Sequence, residues 1–166
     1  MVSSVGKGCS EVEKAYIAGL LDCDGAIMAS IESHNEKKFG FRVRVCVKHT
    51  QKKPELLQWI YSLLKVGHIR QNRTTFDWVV KDQNICKELL EVFGKYSRGK
   101  QNQVQIAREI LNTQINSRDE LLKVAQLADT LSSFNVRSSG RRKNYASKIK
   151  EHSSSNDLFV VCQKQR

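Results

Sequence analysis

Two carboxylates close an apolar stretch near the start of the chain. Tyr16–Gly25 reads YIAGLLDCDG, so Ala15–Leu21 can form a helix that runs into Asp22 and Asp24 before Gly25 stops it. Acids at the C-terminal end of a helix face the negative pole of its macrodipole. A local conflict of this kind marks a functional site or a bound cation. Paired carboxylates suit a divalent cation, because Mg²⁺ is held by one or two carboxylates together with water and phosphate oxygens. Asp24, beside the glycine stop, is the leading ligand; the plainer alternative is an exposed acid after a buried helix. Ala18 and Gly19 are small in mid-helix, where glycine is costly, and this makes sense if a second helix approaches closely. Other chemistries find little support. No Ser/His/Asp or Cys/His arrangement emerges, and the absence of GxGxxG and Walker loops argues against a nucleotide cofactor. His34, His49 and His68 lack metal-ligand spacing and fit polar contacts.

The elements that must position these acids follow from the apolar pattern. Ser10 and Glu13 form a possible capping box ahead of the first helix, and residues 1–9, with Gly6 and Gly8, are expected to be flexible. Strands are expected over 27–33 and 41–49. In the second, Val43, Val45 and Val47 share one face, while Arg42, Arg44, Cys46 and Lys48 share the other. Pro54 opens a helix carrying Leu56, Leu57, Ile60, Leu63 and Leu64. A shorter hairpin turns at Arg73 and Thr74. Helical spacing returns over 83–93, 101–114 and 118–131, and a last helix is expected to reach about residue 151. Trp59, Tyr61 and Trp78 are most simply core. The result is an α+β fold with antiparallel hairpins, a single domain over 1–152 and a tail over 153–166.

The 166 residues hold 28 Lys plus Arg against 17 Asp plus Glu, a formal charge of +11. Such an excess is the footprint of a polyanionic partner. Nucleic acid fits better than a membrane, since no long apolar run or basic amphipathic helix stands out. Five scattered cysteines without paired or zinc-type spacing suggest free thiols in a reducing compartment.

The segment IAGLLDCD resembles the signature of the LAGLIDADG homing endonucleases, with Ile17 for the first Leu and Cys23 for the penultimate Ala or Gly. The order helix, two strands, helix, two strands, helices extends the likeness to about residue 150, as an αββαββα core with additional C-terminal helices. One copy of the motif is present, which matches the single-motif subclass that works as a homodimer. The resemblance implies dimerisation through the Tyr16–Leu21 helix and cleavage of duplex DNA by phosphodiester hydrolysis for intron homing. It implies Mg²⁺, or another divalent ion such as Mn²⁺, held by Asp24 and by the main-chain carbonyl of Cys23. Asp22 is implied to support local structure first. Gln51 is implied to position water and Lys100 to stabilise charge; Glu55 departs from the basic residue often found four positions after the Gln. The implied setting is intracellular, encoded in an organelle genome.

On that resemblance, a two-stranded ribbon enters the major groove. The reading face would comprise Ser30, Glu32, His34, Arg42, Arg44 and Lys48, joined by His68, Arg70, Asn72 and Asp77 from the second hairpin. Arg can grip guanine, Asn adenine, and an acid can accept from cytosine. Arg141, Arg142 and Lys143 are expected at phosphates, where they set affinity rather than sequence choice. An intron maturase, a catalytically silent DNA-binding protein and a basic protein–protein module are the rival readings.

Overall fold

Helix α1, Glu11–Asp24, starts at the expected capping box. The Ser10 amide donates to the Glu13 carboxylate at 2.7 Å, and the Glu13 amide donates to the Ser10 hydroxyl at 3.2 Å. The computed structural model describes residues 5–135 and 144–151. Within these, the chain continues through β1 (Gly25–Ser33), β2 (Phe41–Gln51), α2 (Glu55–Leu64), β3 (His68–Asn72), β4 (Thr75–Val80), α3 (Gln83–Gly94), α4 (Gln101–Asn112) and α5 (Arg118–Asn135). Residues 145–151 form a further helical segment. The αββαββα order is therefore present, with helices following it.

The four strands form one antiparallel sheet in the order β1-β2-β4-β3. Its inner face carries Ile27, Ala29, Val45, Val47, Trp78 and Val80, which pack against Ile17, Leu57, Ile60, Leu89, Phe93 and Val104 from the helices. The alternation in β2 sets this division, because successive side chains of a strand point to opposite faces. Trp78 is the largest wholly buried side chain, and its indole N–H donates to the Val66 carbonyl at 2.9 Å. Where β4 ends, the Gln83 side chain takes over part of its ladder. Its amide accepts from Val45 N at 2.8 Å and donates to Val45 O at 3.0 Å.

Several expectations shift. Strand β1 starts two residues earlier than its apolar pattern suggests, and β2 runs on to Gln51, paired with Phe76. Residues 5–9 are docked rather than loose: Val5 and Cys9 are buried in the core, and Val5 N donates to Glu88. Tyr61 is exposed rather than core, and Trp59 is half-buried with its ring edge-on to Tyr16 at 5.5 Å. Ala18 is 0 % exposed within its own chain. It therefore packs inward and cannot face a second helix. The outward face of α1 is instead Val12, Ala15, Tyr16, Gly19 and Cys23, which recur at the three- and four-residue spacing of one helix side.

Candidate active site and nucleic-acid interface

The two acids that end α1 have different surroundings. The Asp22 carboxylate turns into the chain. It accepts from the amides of Arg98 at 2.6 Å and Gly99 at 2.9 Å, and from the Ser97 hydroxyl. Lys100 Nζ donates to the main-chain carbonyl of Asp22. Burial works to raise the Asp22 pKa, but these hydrogen bonds and the Lys100 charge outweigh it and hold the group below its usual range. Asp22 thus anchors the 97–99 turn to the helix end.

Asp24 points the other way and is exposed. One oxygen accepts from Gln51 Nε2 at 3.2 Å. The same Gln51 nitrogen lies 3.1 Å from His49 Nε2. Gly25 then turns the chain into β1 with extended backbone geometry, φ −76°. The glycine is required here for space rather than for a left-handed conformation, since an added Cβ would stand 2.5 Å from the Leu21 carbonyl oxygen.

Asp24, Gln51 and Lys100 are therefore gathered around one end of α1, from three different elements. Asp24 ends α1, Gln51 ends β2, and Lys100 caps α4. Cys23 is exposed in the last turn of α1, where helix carbonyls lack intrahelical partners. Glu55 is exposed in the first turn of α2. Among the described residues, no three His, Cys, Asp or Glu side chains cluster as a metal cage. An exposed carboxylate at the negative pole of a helix, beside the main-chain carbonyls of the last turn, nevertheless fits one hard cation that completes its shell from outside the chain.

His49 was not assigned to the site from spacing, and the structure puts it there. It continues the inward series Val43, Val45, Val47 and is 0 % exposed. The available signal was a histidine at an inward position of an alternating strand, two residues from Gln51.

The sheet face opposite the core carries the expected polar set. Glu32 pairs with Arg42 and Ser30 with Arg44 across β1 and β2. Lys48, Val79 and His68 form one row across β2, β4 and β3, and Thr50, Asp77 and Arg70 form the next. Glu32, His68, Arg70 and Asn72 are exposed, and Ser30, Arg42, Arg44 and Lys48 are half-buried. His34 lies just past β1, where its amide donates to the Gly40 carbonyl at 2.8 Å. Arg141, Arg142 and Lys143 lie outside the described residues.

Asp77 is corrected. It is 0 % exposed, so its carboxylate is not free to accept from a base. Thr50 donates to it at 2.7 Å and Asn72 at 3.1 Å, with Arg70 at 3.4 Å and Lys48 at 3.5 Å. Asp77 therefore gathers Thr50, Asn72, Arg70 and Lys48 around one buried carboxylate. Burial tends to raise its pKa, yet the Thr50 hydroxyl, the Lys48 charge and the Asn72 amide hold it below the usual 3.8.

The fold is of the LAGLIDADG type. A family model described as LAGLIDADG endonuclease matches residues 17–110. The chain belongs to the LAGLIDADG endonuclease family. It is 24 % identical over 125 residues to DNA endonuclease I-CreI of Chlamydomonas reinhardtii, spanning 72 % of this chain and 77 % of that one. Among solved structures it is similar to the archaeal intron-encoded homing endonuclease I-Vdi141I complexed with DNA, at TM-score 0.77 and 24 % identity, covering 89 % of this chain and 98 % of the other. It is also similar to the homing endonuclease I-CvuI in complex with its target in the presence of Ca, at TM-score 0.74 and 25 % identity, covering 84 % and 91 %.

The lowered Asp77 pKa fixes a pH dependence. A group whose folded pKa lies below its unfolded value stabilises the fold above the unfolded value, and that stability is lost as pH falls through the folded pKa. The Asp77 contribution is thus present above pH 3.8 and disappears below it. In urea unfolding measured across pH, Asp77→Asn should lower stability near pH 7 by about 1–3 kcal/mol, with the gap to wild type narrowing in acid. A gap that stayed constant to pH 2 would contradict this role.

Proposed function

We propose that this chain cuts both strands of a specific duplex DNA site as a homodimer, by hydrolysis assisted by divalent cations. Its family makes it a site-specific homing endonuclease acting on DNA. The observation that carries the finer reading is the split between the two acids: Asp22 is consumed by internal hydrogen bonds, while Asp24 stands exposed beside Gln51. An acid left accessible at the negative end of a helix has a cation as its natural partner, while the formal charge of +11 suits a polyanion such as DNA. Mg²⁺, or Mn²⁺ in its place, would be held by the Asp24 carboxylate and the Cys23 main-chain carbonyl. When bound, it supplies charge neutralisation at the phosphate and an activated water.

The chain's own residues do the rest. The Lys100 ammonium, held at the Asp22 carbonyl, keeps a positive charge beside the helix end. Gln51 offers an amide for orienting water next to Asp24. Arg42, Arg44, Lys48, His68, Arg70 and Asn72 face the bases, with Ser30, Glu32 and His34 at the far end of the ribbon. Arg141, Arg142 and Lys143 belong to the phosphate contacts of this reading. The setting is intracellular, with the gene carried by an intron of an organelle genome; among the described residues no helix is long and apolar enough to cross a membrane.

The second copy follows from α1. Val12 is 79 % and Tyr16 55 % exposed on the same side as Gly19, and an added Cβ at Gly19 would meet nothing within its own chain. Glycine there costs helix stability of about 0.5–1 kcal/mol without serving the single chain's packing. A mate helix lying along this face gives it a purpose and brings a second Asp24 to the site.

Two outcomes test this. In a plasmid-library cleavage assay with Mg²⁺, Asp24→Asn should lose cutting by roughly a thousandfold or more, as expected for removing a ligand of a catalytic cation. It should still bind duplex DNA in Ca²⁺, and normal cutting by this variant would remove Asp24 from the role. Gly19→Leu should remain folded but weaken self-association in sedimentation by about tenfold or more, in line with one overpacked contact. An unchanged monomer–dimer equilibrium would take α1 out of the interface.

A further inference from the structure

Gln51 places one atom, Nε2, against two neighbours, Asp24 Oδ2 at 3.2 Å and His49 Nε2 at 3.1 Å. An amide nitrogen carries two hydrogens and donates only. Both contacts are therefore donations, and His49 must present a lone pair on Nε2. A neutral ring with its proton on Nδ1 is the tautomer that does so. The opposite amide orientation would set its oxygen against the Asp24 carboxylate, so the two acceptors together select the orientation observed.

The surroundings of His49 agree with this. The ring is 0 % exposed, on the inner face of β2 opposite Gly25 and Trp78. Burial lowers its pKa and outweighs the opposing pull of Asp24, while Lys100 lowers it further, so the ring is neutral near pH 7. Its Nδ1 finds no hydrogen-bond partner among the described residues. A buried donor without a partner costs about 1–3 kcal/mol. A valine, continuing the series at 43, 45 and 47, would pack here without that cost.

We propose that His49 is a positioning residue: its buried imidazole accepts one amide hydrogen of Gln51 and so directs the other hydrogen to Asp24. With both hydrogens committed, the planar amide fixes its oxygen as well. That oxygen is left as the acceptor through which Gln51 orients water beside the acid. The inference deepens the endonuclease reading and rests on it for its catalytic meaning. The geometric part stands apart from that reading.

The test uses the full chain, the single variants H49L, H49Q and Q51A, and the double variant H49L/Q51A. His49→Leu removes the acceptor with an apolar side chain of tolerable size, and His49→Gln restores an acceptor near the position of Nε2. In single-turnover cleavage with Mg²⁺, H49L should lower the rate constant roughly 10- to 100-fold, the scale of a misplaced catalytic group, while H49Q returns to within about threefold of wild type. Binding of target DNA in Ca²⁺ should be unchanged in both. In a Gln51→Ala background, H49L should add no further loss, because residues that act through one another are non-additive. A structural role would instead give equal losses in H49L and H49Q, or a full additional loss in Q51A, and either result overturns the proposal. Independently of activity, a long-range ¹⁵N–¹H spectrum of the metal-free, DNA-free protein at pH 7 should show His49 protonated at Nδ1 alone. A proton on Nε2 would overturn the geometry. Failure of the wild type to cut any DNA would strike the endonuclease reading, and the spectrum would still decide the hydrogen bond.

Discussion

Asp22 ties the last turn of α1 to the turn at residues 97–99, and the site is organised around that tie. An acid at a helix C-terminus is opposed by the macrodipole by about 0.3–1 kcal/mol. Hydrogen bonds to a charged group contribute about 1.5–3 kcal/mol each, and Asp22 accepts three, from Ser97, Arg98 and Gly99. The hydrogen bonds win, which is why the helix tolerates the charge. The same turn delivers Lys100, whose ammonium meets the Asp22 carbonyl and so satisfies the helix end it approaches. One acid thus ties the end of α1 to the turn that leads into α4, and the other, Asp24, is left exposed.

The outer face of the sheet repeats this logic. Asp77 is buried under the cations and amides it gathers, and its carboxylate serves there as their common acceptor. Lys48 and Arg70 are drawn together although both are positive, because a wholly buried negative charge lies between them. Their positions are set within the chain itself, and preorganisation of this kind reduces the ordering cost of binding a ligand. A buried acid fixes the geometry on the sheet face, as Asp22 does at the helix end, and the exposed groups around each are left accessible.

Much of this was legible in the sequence because the signals were periodic or local. The alternation of Val43, Val45 and Val47 with Arg42, Arg44 and Lys48 fixed which side of β2 meets the core. Ser10 with Glu13 marked the start of α1. Asp24, Gln51 and Lys100, separated by long stretches of chain, lie at one end of α1, with Gln51 on Asp24 and Lys100 on the Asp22 carbonyl. What failed depended on packing that no single segment encodes. Ala18 and Gly19 look equivalent as small residues, yet Ala18 is enclosed by its own chain and Gly19 is open. Asp77 has the chemistry of a base-reading acid, and only the convergence of β2, β3 and β4 reveals that it is covered. Gly25 ends α1 as expected, but for closeness to Leu21 rather than for a positive φ. His49 carries no ligand spacing in the sequence, because its partner is an amide two residues along the same strand face.

The account rests on two copies of this chain setting their Asp24 carboxylates side by side around divalent ions at the centre of a DNA duplex. The most direct measurement is anomalous scattering from Mn²⁺ in a crystal of the protein with its target DNA. Manganese peaks held by Asp24 beside phosphate oxygens of the DNA are the expected result. Manganese bound to other residues, or α1 helices whose ends stand apart from each other and from the DNA, would contradict it.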